Sequence, residues 1–379
     1  MKPVKRFAIL LLVINMLLLN GCWNYREVDS MSMVAAMAID KGVKGFKYHT
    51  TFEFLDLSSG KSGSKLLETD GDTVFDCARN AIGKSEKKLF FSDCKVIILS
   101  KDIASEGIAP LVDWLIRDAE PRINLNLFIS KEKTAAVILE QKPITDQLIG
   151  LEIWRMEIQN SVSLCESPDV KLYQATNILA GEGSSLILPT IKITKGAETT
   201  LELDGTAVFK KDKLVGYLNR NESKFLLYTN DKIHGGLLVT SPKDDGNNIT
   251  LEIVDNQTKV TPVMKDNELT MNIEIKMKAN LAEDQTSQGY VSESGLKEAE
   301  KSAKKTLSYG VNNVIKETQS QYGSDIFGFG SKISQDHPDW WKKVKSSWDQ
   351  SFQKLSFSIT PDVTIVNTAT AKAKVKVGD

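Results

Sequence analysis

Cysteine and histidine are scarce, at four and three in 379 residues. No two cysteines form a C-x-x-C pair, and no histidine has a second ligand type at metal-site spacing. Zinc and dithiol redox readings are therefore poor. Aromatic residues make up only 7%, and the dense aromatic subsites of a sugar-cleaving enzyme are not evident. The chain lacks a G-x-x-x-x-G-K-[ST] loop, a G-x-S-x-G elbow and an H-E-x-x-H pair. Gly181/Gly183 and Gly328/Gly330 do not open a helix after a strand, as a dinucleotide site would, and read as turns. No cofactor or metal is expected. With 48 basic against 49 acidic residues, the chain also lacks the basic excess of a nucleic-acid binder. Its apolar run Phe7–Leu19 is 13 residues long, where a bilayer span needs about 20.

What is present is an ordinary globular composition, 41% hydrophobic and 26% charged, with length enough for two or three domains. The first 21 residues stand apart. Lys2, Lys5 and Arg6 precede the apolar run, and Asn20-Gly21-Cys22 follows it. That order is a secretory signal peptide. Leu-Asn-Gly-Cys resembles the bacterial lipobox, whose cysteine thiolate forms a thioether with diacylglycerol and becomes the new N-terminus. Cys22 is thus the expected lipidation site. Two acyl chains would suffice for stable anchoring on the outer membrane face. Trp23 and Tyr25 suit either the headgroup region or a packing role in the core. Cys77, Cys94 and Cys165 read as buried small hydrophobes.

The mature chain reads as α+β, with mixed and antiparallel sheets, packed helices and a long amphipathic helix in the C-terminal half. The expected divisions are 1–21, a signal peptide; 22–198, an N-terminal α/β region; and 199–379, a C-terminal α+β domain. Alternation over Phe46–Phe54 predicts a half-buried strand. Leu57–Asp72, rich in Ser, Gly and charge, predicts a loop. Apolar spacing predicts one amphipathic helix over Ile103–Asp118. Helices are expected over 132–140, 145–160 and 169–180, and a strand broken by Pro189 over Ser185–Ile193. Segments 237–240, 249–254, 259–264 and 269–277 predict an antiparallel meander, and Gly295–Gln319 the long helix.

Two constellations stand out. Arg117-Asp118-Ala119-Glu120-Pro121-Arg122 sets four charges around a helix end and a strand start. It reads either as an ion-pair network fixing the chain reversal or as a partner-docking patch. Asp325-Ile-Phe-Gly-Phe-Gly330, followed by Trp340-Trp341, reads as a tight loop against a core or as an exposed apolar docking face. Candidate docking residues are thus Arg117, Asp118, Glu120 and Arg122, with Phe327, Phe329, Trp340 and Trp341.

Together these motifs resemble the Ger(x)C lipoproteins, the C subunits of spore germinant receptors. The matching residues are Gly21-Cys22-Trp23-Asn24 with Glu27 and Val28, Met37-Ala-Ile-Asp40, the 117–122 motif, Gly205-Thr-Ala-Val-Phe-Lys210 with Leu214-Val-Gly216, and Asp325–Gly330 with His337-Pro338 and Trp340-Trp341. Asn24 departs from the family's usual Asp. The resemblance implies a non-enzymatic lipoprotein on the outer face of the spore inner membrane, working with polytopic A and B subunits. A solute-binding lipoprotein that captures the germinant directly is the alternative. Such proteins generally show two parallel-sheet lobes, which the expected meander opposes.

Overall fold

The computed structural model describes residues 3–7, 31–43, 45–56, 63–85, 87–145, 148–196, 198–243, 247–266, 268–286 and 290–368. Cys22, Trp23 and Tyr25 lie outside the described residues. The aliphatic runs of the first half become the centre of a nine-stranded sheet. There β1 (Met31–Lys41), β5 (Val96–Leu99), β6 (Asn126–Ser130) and β7 (Ile187–Lys195) pair in parallel. All of β5 and β6 is buried, because helices cover both faces.

On one face, α1 (Val74–Asn80), α2 (Lys101–Glu106), α3 (Ala109–Arg117) and α6 (Leu172–Ala180) pack on residues such as Met37, Ile97 and Leu127. On the other, α4 (Ala136–Leu139) and α5 (Ile149–Ser163) cover Ala38, Ile98 and Phe128. This alternation along each strand is the two-residue period of a sheet buried on both sides. Two buried strand acids cap the second pair of helices. Glu53 accepts the Ile149 and Gly150 N–H groups, both at 2.7 Å. Asp40 accepts those of Ala135 and Ala136 at 2.6 and 3.0 Å.

Antiparallel strands complete each edge: β2 (Tyr48–Asp56) and β3 (Gly63–Gly71) beyond β1, and β8 (Thr199–Lys210) and β9 (Lys213–Leu218) beyond β7. The short β4 (Lys88–Phe90) runs parallel to the start of β1, with Met31 opposite Lys88. Residue 198 therefore falls inside the β7–β8 hairpin, and the hydrogen-bonded sheet runs across it to Leu218.

The second sheet has the order β10-β11-β12-β13, from β10 (Leu237–Thr240), β11 (Ile249–Lys265), β12 (Glu268–Asp284) and β13 (Ser356–Asn367). Between the sheets lie α7 (Arg220–Thr229) and the 25-residue α8 (Glu293–Glu317), whose Ala299, Ala303, Leu307, Val311 and Val314 are fully buried. The chain then turns through α9 (Phe329–Asp336), α10 (Pro338–Val344) and α11 (Trp348–Lys354) before β13.

Several expectations change. Residues 63–71 are not loop but β3, an edge strand whose polar outer side chains hide its period. The centre of β2, Thr50–Glu53, is buried throughout rather than on one face. The helix expected over 103–118 is two, separated at Gly107, where φ is +127°. Pro189 sits at a register shift within β7 and leaves the strand intact. Segments 249–254 and 259–264 belong to one strand, whose pairing with β12 shifts register at two points. The final strand β13 runs parallel to β12, so the sheet is mixed.

Candidate functional site

A cleft of about 400 Å³ opens between α1 and the C-terminal end of α3. Helix α1 turns Val74, Cys77 and Ala78 inward at helical spacing. Phe75 and Arg79, four apart, are left on the outer lip, with the Arg79 guanidinium 4.7 Å from the Phe75 ring centroid. Leu89 and Phe91 line the cleft opposite. Trp114 packs edge-on against Phe91 at 6.3 Å, and Phe91 in turn against Phe52 at 5.8 Å. The rim is the 117–120 part of the charged motif.

The four charges of that motif do not pair with one another. Arg117 Nε reaches back one turn to Asp113 Oδ2 at 2.6 Å, on the exposed face of α3. Asp118 ends the helix, and its carboxylate accepts the Glu120 N–H at 2.9 Å. Glu120 pairs with Lys88 of β4. Its carbonyl also accepts the Ser92 hydroxyl at 3.1 Å. Arg122 is exposed and makes no ion pair among the described residues. The expected four-charge network is therefore a chain reversal held by two local contacts, Arg117 with Asp113 and Asp118 with the Glu120 N–H, and by two from Glu120 to the distant Lys88 and Ser92. It leaves Arg117 and Arg122 facing solvent.

The second constellation is interior. Phe327 and Phe329 stack at 5.1 Å and meet Phe352, each at 6.3 Å. Trp341 packs on Trp348 at 5.2 Å. Phe327, Phe329 and Trp341 are buried and Trp340 is half-buried. An exposed docking face of these rings is thereby overturned: their apolar area is spent on the chain's own core. At its centre lies the Asp325 carboxylate. Oδ1 accepts the N–H groups of Phe327 and Phe329 at 3.1 and 3.2 Å. Oδ2 accepts the Gly330 N–H at 2.7 Å and the Trp348 indole at 3.2 Å. Burial outweighs these four donors and lifts the carboxyl to about 6.

An ion-pair chain that no sequence motif marks crosses the β7–β8 hairpin. Asp204 accepts Lys131 at 2.6 Å and Lys192 at 2.8 Å. Lys192 also meets Glu202 at 3.2 Å, and Glu202 pairs with Arg220. Arg220 reaches Glu166 at 2.5 Å, which also holds Lys224 at 3.0 Å. Its one legible signal was the hairpin register, which sets Lys192 opposite Glu202. Among the described residues no group of three or more His, Cys, Asp or Glu side chains is placed to hold a metal ion. His49 instead bonds Asp70 at 2.9 Å.

Two family models match the chain head to tail. Residues 24–193 match that described as spore germination protein N-terminal domain. Residues 204–369 match that described as spore germination B3/GerAC like, C-terminal. Spore germination protein B3 of Bacillus subtilis (strain 168) is 26% identical, over 98% of this chain and 99% of that protein. Spore germination protein GerQC of Bacillus cereus is 24% identical, over 96% and 99%. Spore germination protein KC of Bacillus subtilis (strain 168) is 19% identical, over 92% of each. The crystal structure of the GerBC protein superposes with a TM-score of 0.58 at 26% identity, covering 87% of this chain and 97% of that one.

Proposed function

The chain belongs to the spore germination B3/GerAC-like family, and we propose that it is the lipid-anchored C subunit of a nutrient germinant receptor. In this reading it is needed for nutrient-triggered germination and works without catalysis, as a scaffold or coupling subunit beside polytopic A and B subunits. The observation that carries this is the head-to-tail match of both family regions together with relatives that align over nearly their whole length. The alignments cover nearly the whole of these relatives rather than one shared module.

The anchor would be Cys22 on the outer face of the spore inner membrane. Among the described residues no helix is long and apolar enough to cross a membrane. From Cys22 to Met31 the chain can reach roughly 30 Å when extended. Met31 lies opposite Lys88, and Lys88 pairs with Glu120, so the tether enters the fold beside the 117–122 motif. In this reading exposed Arg117 and Arg122 would meet neighbouring membrane proteins, where high effective concentration makes weak contacts sufficient.

The test is a spore strain carrying only Cys22→Ala, labelled with a fatty acid and challenged with nutrients. The expected result is an unlabelled, uncleaved precursor and reduced germination. Acyl label persisting on the variant would refute the anchor. Normal germination of a strain lacking the whole protein would refute the receptor role.

A further inference from the structure

We propose that the cleft between α1 and α3 is a binding site for a small carboxylate with an apolar body, held by Arg79. The inference goes beyond the receptor-subunit reading and does not depend on it. Three observations carry it.

The first is shape and wall chemistry. A volume of about 400 Å³ lies in the range of small-molecule sites, roughly 300–1,000 Å³, which are mostly apolar with a few placed polar groups. Here Leu89, Phe91 and Trp114 form the wall. The second is what folding leaves uncovered. Phe75 and Ile82 flank the opening and remain 41% and 44% exposed, although both are large and apolar. A ligand's apolar body would cover them.

The third is the charge balance at the rim. Lys88 is neutralised by Glu120 and Arg117 by Asp113. The Asp118 carboxylate accepts a backbone N–H. Arg79 makes no ion pair among the described residues, and its guanidinium lies over the Phe75 ring. Of the charged groups at the rim, the Arg79 guanidinium alone has neither a hydrogen-bond nor an ion-pair partner among the described residues, so the group it would take is an anion. A guanidinium seated on a ring keeps its planar fork free for bidentate pairing with a carboxylate. One such group suits a monoanion; a phosphate dianion would call for further bases.

The test titrates the full-length protein in nanodiscs with 3-phenylpropionate and with its neutral analogue 3-phenylpropan-1-ol, followed by saturation-transfer NMR. The carboxylate is expected to bind saturably and about tenfold or more tightly than the alcohol. Arg79→Gln should reduce the carboxylate to the alcohol's affinity and leave the alcohol unchanged. Ile82→Ala should weaken both. Arg79 and Ile82 are exposed, and thermal melts should show both variants folded as the parent. Absence of saturable binding would overturn the proposal. So would equal affinity for the two probes, or Arg79→Gln binding the carboxylate like the parent. None of these outcomes bears on germination or lipidation, which are read separately.

Discussion

Gly183 and Gly330 lie backbone against backbone. A Cβ on Gly183 would fall 2.5 Å from the Gly330 carbonyl carbon, and one on Gly330 would fall 2.7 Å from the Gly183 Cα. The loop after α6 is thereby pressed onto the start of α9, and the Ser331 N–H donates to the Gly183 carbonyl at 2.9 Å. Two residues further on, the Ser185 N–H donates to the Asp325 carbonyl at 2.7 Å. The two glycine pairs, which read separately as turns, are one crossing point between the halves of the chain.

Gly183→Ala should therefore destabilise the protein by about 2–4 kcal/mol, combining steric overlap with the strain of an alanine at positive φ. The native φ there is +77°. Urea unfolding of parent and variant measures the loss, and a variant within about 0.5 kcal/mol of the parent would contradict the crossing.

Asp325 gives the stability a pH dependence of definite sign. Its native value of about 6 lies above the ordinary 3.8 because burial disfavours the charged form. The folded state thus holds the proton more tightly than the unfolded chain. The contribution is complete below about pH 4 and is lost as pH rises through about 6, a change on the order of 3 kcal/mol. Asp325→Asn should remove this slope. It should also be less stable at every pH, because an amide NH₂ would face buried N–H donors. The parent's advantage over the variant should accordingly shrink between pH 4 and pH 7 in denaturant titrations.

Glu157 is fully buried on α5, and neither carboxylate oxygen has a hydrogen-bond partner among the described residues. Burial pushes its carboxyl well up, and nearby Asp169 pushes the same way against Lys171. Its stabilising contribution is likewise present at low pH and lost as pH rises through the native value. Glu157→Met, which removes the unpartnered group at similar volume, should gain about 1–3 kcal/mol at pH 8. A loss in thermal unfolding at that pH would show that the carboxyl has a role the fold depends on.

The ion-pair chain should titrate the other way. Glu166, Glu202 and Asp204 are each pushed up by burial, but their Lys and Arg partners, joined at Glu202 by the Thr194 hydroxyl, more than reverse this and hold them below the usual carboxylate range. Their contribution is present at neutral pH and fades as pH falls through the depressed native values. Arg220→Ala strips one partner from both Glu166 and Glu202. The side chain is 40% exposed, so the expected loss is modest, about 1–2 kcal/mol at pH 7. It should diminish in about 0.5 M salt. An unchanged loss at high salt would mean that packing, not charge, is what Arg220 supplies.

Much of this fold was legible because its apolar runs are long and regular. Val96–Leu99, Leu237–Thr240 and the stripe from Ala299 to Ile315 announced themselves by period. The strand β3 did not, since Lys65, Glu68 and Asp70 on an edge strand look like a polar loop. Nor did the break at Gly107, because the apolar spacing continues across it while the backbone turns. The 117–122 motif lies on the rim of the cleft, but nothing in the sequence announced a cleft there, and the pairing in both motifs was set by residues remote in sequence: Lys88 for Glu120, and Trp348 for Asp325. No local pattern reports contacts that the topology creates.

The exposed bases of the 117–122 motif can now be tested without the fold as a confounder. Arg122 makes no ion pair among the described residues, and the Arg117–Asp113 pair lies on the solvent side of one helix. Exposed pairs of this kind contribute at most about 0.5 kcal/mol. Arg117→Glu with Arg122→Glu should leave the melting temperature of the protein within about 2 °C of the parent, a shift of less than roughly 1 kcal/mol. If these bases dock on the A or B subunit, the double reversal turns attraction into repulsion. Recovery of that subunit from spore membranes should then fall at least about tenfold, the change that 1.4 kcal/mol produces. Restoring recovery by reversing an acidic residue on the partner would identify the contact. Undiminished recovery together with normal nutrient-triggered germination would remove the 117–122 rim from the docking surface and leave the lipid tether as the source of proximity.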